Sequence, residues 1–83
     1  MIRQAKDRRS GRILDAEVKT LGIPLDCATL REEDKGRSVV YIPSAGNPEL
    51  GTIVRWTDQT IFARFSGGDT ASGCDPATLE LVV

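Results

Sequence analysis

The stretch that most constrains the fold is residues 51–65, with the sequence GTIVRWTDQTIFARF. β-Branched and aromatic residues, which fit the pleated surface of a sheet, crowd both halves of this stretch. Asp58 and Gln59 lie between the halves and predict the turn of a β-hairpin. The turn type stays open, because the second turn position lacks the glycine that a type I′ turn prefers. The stretch therefore predicts two antiparallel strands that the other elements cover or extend.

A loop at Asp58 and Gln59 determines which residues pair across the hairpin. The predicted pairs are Thr57 with Thr60, Trp56 with Ile61, Val54 with Ala63, and Thr52 with Phe65. Because side chains alternate between the two faces of a strand, one face is apolar and is expected to pack on the core. The apolar face comprises Val54, Trp56, Ile61, Ala63 and Phe65, and the opposite, mixed face comprises Ile53, Arg55, Phe62 and Arg64.

Turn residues divide the rest of residues 29–83 into short elements. Thr29 and Glu32 have the spacing of a capping box and predict one helical turn or a structured turn. Asp75 and Pro76 predict a single helical turn, with Asp75 as its N-cap and Pro76 in its first position. Strands are predicted at residues 38–42, 70–74 and 79–82, with a loop at 44–48 and a glycine-rich connection at 66–73.

The first 12 residues are predicted to be a basic, flexible arm. They lack hydrophobic periodicity and carry five basic residues against one acidic residue, a net charge of +4. Residues 13–83 carry six basic and eleven acidic residues, a net charge of −5. A charged terminus of this kind commonly stays solvated, and the alternative role for it is contact with nucleic acid.

A short helix is predicted at residues 13–21. Leu14, Val18 and Leu21 recur at helical spacing. Gly22 is a typical helix stop, and the proline at position 24 disfavours helical geometry in the residue before it.

Five short strands, each with one apolar face, are best satisfied by a small closed barrel. The pattern of core and turn residues resembles the SH3-like small β-barrels, and it is similar to short hypothetical proteins of that kind carried by bacteriophages and prophages. The residues that carry the resemblance are Gly36-x-x-Val39-Val40-Tyr41, Gly51-x-Ile53, Trp56, Phe62-x-Arg64-Phe65 and Pro76-x-x-Leu79. The resemblance covers residues 30–83 and implies a mainly β, antiparallel SH3-like barrel at residues 29–83, preceded by the arm and short helix of residues 1–28. It says little about function, because one fold hosts many roles.

The composition argues against an enzyme. The chain of 83 residues has no histidine, so the commonest general base and the commonest metal ligand are both missing. Cys27 and Cys74 form no CxxC motif, and they predict partly buried free thiols rather than zinc ligands or a nucleophile. The glycine-rich connection lacks the Gly-Lys-Ser/Thr ending of a phosphate-binding loop. No cofactor and no metal are expected.

The chain has no feature that predicts a membrane or secreted location. No apolar run approaches the roughly 18 residues that span a bilayer. No hydrophobic region follows the basic first residues, as it would in a signal peptide. The expectation is a cytoplasmic protein that does not bind a membrane.

The candidate binding surface is the mixed face of the hairpin. Two guanidinium groups beside an aromatic ring could hold a phosphate backbone and stack a base; the alternative is that the arginines cover a partly buried Phe62 with their aliphatic stems. The second candidate is a peptide groove between the 44–48 loop and the Asp58 turn, with Trp56 facing inward. The residues predicted to bind nucleic acid or a partner are Arg55, Phe62, Arg64, Tyr41, Arg8 and Arg9.

The function that these features favour is a non-catalytic binding module, a protein–protein adaptor of phage or prophage type. Two alternatives stay open. The first is a nucleic-acid-binding module that uses the Arg55, Phe62 and Arg64 face and the basic arm. The second is a structural virion component, which self-assembly would reveal. The sequence does not fix the oligomeric state.

Overall fold

The computed structural model describes residues 1–7, 14–65 and 70–83. These residues form a small, mainly β fold with three short 3-10 turns at Cys27–Thr29, Glu32–Asp34 and Pro76–Thr78. The strands are β1 (Ile2–Asp7), β2 (Leu14–Pro24), β3 (Ser38–Tyr41), β4 (Glu49–Trp56), β5 (Ile61–Phe65), β6 (Ala71–Cys74) and β7 (Leu79–Val82). In this part of the chain, no helix is long and apolar enough to cross a membrane.

The seven strands form one sheet in the order β1-β2-β7-β3-β4-β5-β6. All neighbours in this order are antiparallel, and β1 also makes a parallel bridge to β4 between Lys6 and Glu49. The five strands predicted after residue 37 are confirmed as β3 to β7. The predicted turn after Asp75 is also confirmed, because the Asp75 carboxylate accepts a hydrogen bond from the Ala77 amide at 3.0 Å.

The predicted hairpin exists, but half of its predicted register is wrong. Trp56 pairs with Ile61, and the Thr57 amide donates to the Thr60 carbonyl at 2.8 Å, as predicted. Beyond that point a β-bulge at Val54 inserts one extra residue into β4, a defect that no local sequence signal marks. Arg55 pairs with Phe62, as the predicted register requires, because this pair lies between the bulge and the turn. The pairs on the other side of the bulge are Ile53 with Ala63, Thr52 with Arg64, and Gly51 with Phe65.

The bulge changes which residue of β4 enters the core. Ile53, predicted on the mixed face, is 1% exposed. Val54, predicted on the apolar face, is only partly buried. Trp56 faces the core as predicted and packs against its buried residues.

The helix predicted at residues 13–21 is wrong, because this segment belongs to β2. Asp15, Glu17 and Lys19 are exposed, whereas Ala16 and Val18 are partly buried and Thr20 is fully buried. This period of two is the pattern of a strand. The helical spacing of the apolar residues coincided with it and was misleading.

The flexible arm predicted for residues 1–12 is also wrong over residues 1–7, which form β1. Its six residues pair in register with β2 from Ile2–Lys19 to Asp7–Leu14. Ala5 is 1% exposed, so the strand packs against the molecule. Residues on both sides of the predicted division at residue 28 belong to one sheet.

The turns between β2 and β3 differ from the predicted capping box. Thr29 and Glu32 do not cap each other: the Thr29 hydroxyl donates to the Asp26 carbonyl at 2.8 Å. Instead, the Arg31 amide donates to the Asp34 carboxylate at 2.8 Å. In the first turn, the Asp26 carboxylate accepts a hydrogen bond from the Ala28 amide at 3.0 Å. An aspartate carboxylate therefore satisfies a free backbone amide in each of the two turns.

Both faces of β3 are buried. Val39 and Val40 are both fully buried, although neighbouring residues of a strand point to opposite faces. The main core lies on the Val39 face, and partly buried Leu25, Leu30, Tyr41, Trp56 and Phe65 surround it. Its buried members are Cys27, Val39, Ile53, Ile61, Ala63, Cys74, Leu79 and Leu81.

A carboxylate lies among the buried groups of the other face. Glu80 of β7 pairs with Val40 and is 6% exposed. Its Oε1 accepts from Arg3 Nε at 3.0 Å and from Thr20 Oγ1 at 2.6 Å, and its Oε2 accepts from Arg3 Nη2 at 2.6 Å. These three residues, called the Glu80 network below, join β1, β2 and β7. No buried side-chain nitrogen or oxygen in the described residues lacks a partner.

The network also sets the charge state of Glu80. The hydrogen bonds from Arg3 hold the pKa of the Glu80 carboxyl below its usual value, and the hydrogen bond from Thr20 adds to this effect against the opposing effect of burial. A carboxylate with a lowered folded-state pKa stabilises the fold above its ordinary pKa. This contribution is lost as the pH falls through the folded-state value.

We expect Glu80→Gln to lower the free energy of unfolding by about 2 kcal/mol at neutral pH, because it weakens charge-assisted hydrogen bonds to a buried group. Chemical denaturation measures this. The matched control is Glu17→Gln, which neutralises an exposed carboxylate of β2 and is expected to cost no more than about 0.5 kcal/mol.

The stability gap between wild type and Glu80→Gln should shrink as the pH falls below the ordinary carboxyl pKa of about 4.3. A gap that stays constant into acid would show that the charge of Glu80 does not stabilise the fold.

Candidate functional site

The predicted arginine surface lies on the exposed outer face of β4 and β5. Arg55 pairs with Phe62 across the hairpin, and its guanidinium carbon lies 4.3 Å from the centre of the Phe62 ring. Arg64 lies two residues further along β5, on the same face. Both arginines are exposed, and Phe62 is partly buried. Neither arginine makes an ion pair within the part of the chain that the structure describes.

The Phe62 ring is covered from two sides. Arg55 stacks on it, and Gly73 of β6 lies opposite it. A Cβ atom at Gly73 would lie 3.4 Å from Cε1 of the ring, so the ring already occupies the space beside that glycine. This geometry fits the interpretation that Arg55 shields a partly buried ring.

The other predicted binding residues do not join this surface. Tyr41 pairs with Glu49 at the start of β4, whereas Arg55 lies near its end. The Tyr41 ring instead contacts Phe65 edge-to-face, with ring centres 6.0 Å apart at an angle of 62°. Arg8 and Arg9 lie outside the described residues.

The predicted groove between the 44–48 loop and the Asp58 turn is also wrong. The loop precedes β4 and the turn follows it, so the two lie at opposite ends of an eight-residue strand. At about 3.3 Å per residue, such a strand keeps its ends roughly 25 Å apart.

Tyr41 and Phe65 line a pocket of about 350 Å³ at this other end of the sheet, called the edge pocket below. The ring of Phe65 lies over Gly51, its partner across the hairpin. A Cβ atom at Gly51 would lie 2.5 Å from Cε1 of that ring. The glycine therefore allows the aromatic pair to form.

A third surface, which the sequence did not reveal, lies where β2 passes β7. Thr20 pairs with Val82 and Pro24 with Glu80, so three residues of β2 lie opposite one residue of β7. Gly22, in the middle of this bulge, has a φ of 76°, a left-handed conformation that glycine adopts without strain. Its amide donates to the Thr20 hydroxyl at 3.2 Å.

The bulge directs two large apolar side chains into solvent. Leu21 is 54% exposed and Ile23 is 63% exposed. They border a groove of about 410 Å³ whose apolar lining also includes Leu25, Leu30 and Leu81. The polar and charged residues that also line the groove, called its polar rim below, are Asp26, Thr29, Arg31, Glu33, Asp34 and Arg37. Leu21, Ile23 and this groove are called the bulge surface below.

Part of the polar rim is fixed by its own contacts. Arg37 lies 3.2 Å from a carboxylate oxygen of Asp34. The hydrogen bond from the Arg31 amide holds the pKa of Asp34 below its usual value, so this carboxylate stays ionised at neutral pH.

The cysteines do not form a reactive site. Both Cys27 and Cys74 are free thiols of the core. Burial raises the pKa of each thiol, which keeps it in the protonated, weakly nucleophilic form. Among the described residues, no group of three or more Cys, Asp or Glu residues is placed to hold a metal ion.

No family model, no curated protein and no solved structure matches this chain. The resemblance to SH3-like barrels and to phage and prophage proteins therefore has no support from comparison. What the structure does show is a small, all-β fold built on one antiparallel sheet.

We expect Gly51→Ala to destabilise the protein by about 1 to 3 kcal/mol, because the added methyl group must displace the Phe65 ring. Chemical denaturation measures the cost, and the aromatic proton shifts of Tyr41 and Phe65 report the displaced ring pair. The control is Gly73→Ala, where the nearest side-chain atom is 3.2 Å away and a smaller loss is expected. Equal stability of Gly51→Ala and wild type would contradict the close packing of this ring.

Proposed function

We propose that this protein is a non-catalytic binding module that engages another protein through the bulge surface. The observation that carries the proposal is the exposure of Leu21 and Ile23 beside an apolar groove. Exposed apolar patches that are bordered by polar residues often mark sites of protein–protein interaction.

The construction of the bulge supports this proposal. The exposed side chains belong to β2, an internal strand that lies between β1 and β7 in the sheet order, not to a terminus or an isolated loop. The hydrogen bond between Gly22 and Thr20 fixes the backbone that presents them. β-Bulges are over-represented next to active sites, where they change the direction of a side chain.

The two exposed apolar side chains can supply part of the binding free energy. Burying the exposed parts of one leucine and one isoleucine on a partner contributes roughly 2 to 3 kcal/mol. That corresponds to a factor of about 30 to 150 in Kd. The charged rim would orient the partner without supplying most of the affinity.

We expect the double substitution Leu21→Asp/Ile23→Asp to weaken binding to the physiological partner by about tenfold or more, because it places charges in the apolar contact. Proteins captured from a lysate of the source cell by wild type and by the variant are compared quantitatively. A protein that discriminates between them is purified, and its affinity for each is measured by calorimetry.

The matched control is Thr52→Asp/Ala77→Asp, which adds the same two charges at exposed positions elsewhere. Circular dichroism confirms that both variants are folded. A partner that the control variant binds as wild type does, and the bulge variant does not, supports the proposal. If every partner binds the bulge variant as tightly as wild type, the proposal is wrong. If the discriminating partner is the chain itself, seen by light scattering, the module is a self-assembling component.

A nucleic-acid-binding role through Arg55 and Arg64 is the second candidate. The observation that favours it is two exposed guanidinium groups on one face, neither in an ion pair within the described residues. The guanidinium carbon of Arg55 already lies 4.3 Å from the centre of an aromatic ring, an arrangement that can extend to a stacked base. The SH3-like arrangement, the phage origin and the cytoplasmic location stay predictions.

We expect, under this second candidate, that the affinity for a mixed single-stranded oligonucleotide falls steeply with salt. Fluorescence anisotropy measures it for wild type and for Arg55→Gln/Arg64→Gln. Loss of two phosphate contacts reduces the slope of log affinity against log salt by about 1.4. The control Lys19→Gln/Arg31→Gln removes the same charge at other exposed positions. If the control variant reduces the slope as much as Arg55→Gln/Arg64→Gln does, or if the affinity does not depend on salt, this surface is not a nucleic-acid-binding site.

A further inference from the structure

The sheet has a free edge at β6. This strand ends the strand order, and in the described residues it pairs only with β5. A strand in this position presents a row of unpaired backbone N–H and C=O groups, which a second extended chain can satisfy. Ser72 and Gly73, in the middle of the strand, are exposed.

The edge pocket opens beside this strand. Ser72, Gly73 and Cys74 of β6 line it together with Tyr41 and Phe65. A chain that paired with β6 would therefore place one of its side chains at the mouth of a pocket of about 350 Å³. This volume is ample for one long side chain.

The chemistry of the lining selects the side chain. Asp75 is the acidic residue of the lining on which the selection depends, because Glu49, also in the lining, has an interaction of its own. No basic residue is present among the described residues there. Asp75 is exposed, and among the described residues the partner of its carboxylate is the neutral amide of Ala77, which donates to it at 3.0 Å. The two aromatic rings add faces that attract a cation. A lysine or arginine side chain is thus complementary to the pocket in charge and in its apolar stem.

We propose that the β6 edge and the edge pocket bind an extended peptide segment of a partner protein, with one lysine or arginine side chain in the pocket. The backbone of the segment pairs with β6 and supplies affinity. The pocket supplies specificity, as in other strand-addition complexes. This site is separate from the bulge surface, because β7, β3, β4 and β5 lie between β2 and β6 in the sheet order. A module with both sites joins two partners.

The test starts from a yeast-displayed library of random linear peptides, selected on the full-length wild-type chain. We expect the selected peptides to share a lysine or arginine at one position. In ¹⁵N-labelled protein, their binding should shift the amide signals of β6 and of Tyr41 and Phe65. Methylation of alternate backbone nitrogens in a selected peptide should abolish binding, because strand pairing needs those N–H groups.

Asp75→Asn is the informative variant of the protein. Asparagine still caps the Pro76–Thr78 turn, so the fold is kept while the charge is removed. We expect an affinity for the selected peptides about fivefold lower, in line with a charge pair at a partly solvated site. Asp58→Asn, which removes a charge from the exposed hairpin turn, should leave the affinity unchanged.

The proposal is overturned if the library yields no binders, if the binders share no cationic residue, or if Asp75→Asn binds them as wild type does. Peptides whose signals map to the bulge surface would also overturn it. If Leu21→Asp/Ile23→Asp still binds the selected peptides at β6, the peptide site is independent of the bulge surface. The proposal for the β6 edge and the proposal for the bulge surface can then be confirmed or rejected separately.

Discussion

The fold depends on one buried carboxylate. Glu80 lies in β7 on the face that the first two strands cover, and it accepts hydrogen bonds from Arg3 of β1 and Thr20 of β2. An unpaired carboxylate in this position would cost several kcal/mol. The hydrogen bonds from Arg3 and Thr20 offset the cost of burying this charge. The contact also spans 77 residues of sequence, so it forms only when the two ends of the described chain meet.

The same carboxylate reaches the bulge surface through Thr20. The Thr20 hydroxyl donates to Glu80 and accepts from the Gly22 amide. The threonine thereby links the buried face to the left-handed residue at the centre of the bulge. The exposure of Leu21 and Ile23 follows from this local backbone. These two hydrogen bonds therefore connect the buried network to the surface proposed to dock a partner.

The sequence predicted what depends on local chemistry and missed what depends on distant partners. The strands from residue 38 onward were predictable, because alternation and turn residues such as Asp75 mark them directly. Strand β2 was misread, since the spacing of Leu14, Val18 and Leu21 also fits a helix. Its alternating charged residues were the signal that could have found it. Strand β1 carries almost no local signal, because Ala5 is its one fully buried residue and its pairing partners lie in another strand.

The placement of the candidate site residues was likewise predictable where it depends on local sequence and unpredictable where it depends on the sheet order. The pairing of Arg55 with Phe62 followed from the hairpin turn, and it survived the bulge because it lies between the bulge and that turn. The place of Tyr41 required the sheet order, which brings it to Phe65 rather than to the arginines. The two bulges could not be predicted, because an extra residue in a strand leaves its composition unchanged. One bulge moved Ile53 into the core, and the other created the bulge surface.

The most direct test of this account is amide hydrogen exchange in wild type and Glu80→Gln. If the Glu80 network holds the first two strands on the sheet, the substitution should lower protection of the β1 amides and of the Gly22 amide. Protection in the β4 and β5 hairpin should fall much less under conditions where local opening dominates exchange. Equal loss of protection throughout the described strands, or no loss in β1 and Gly22, would contradict the central role of this carboxylate.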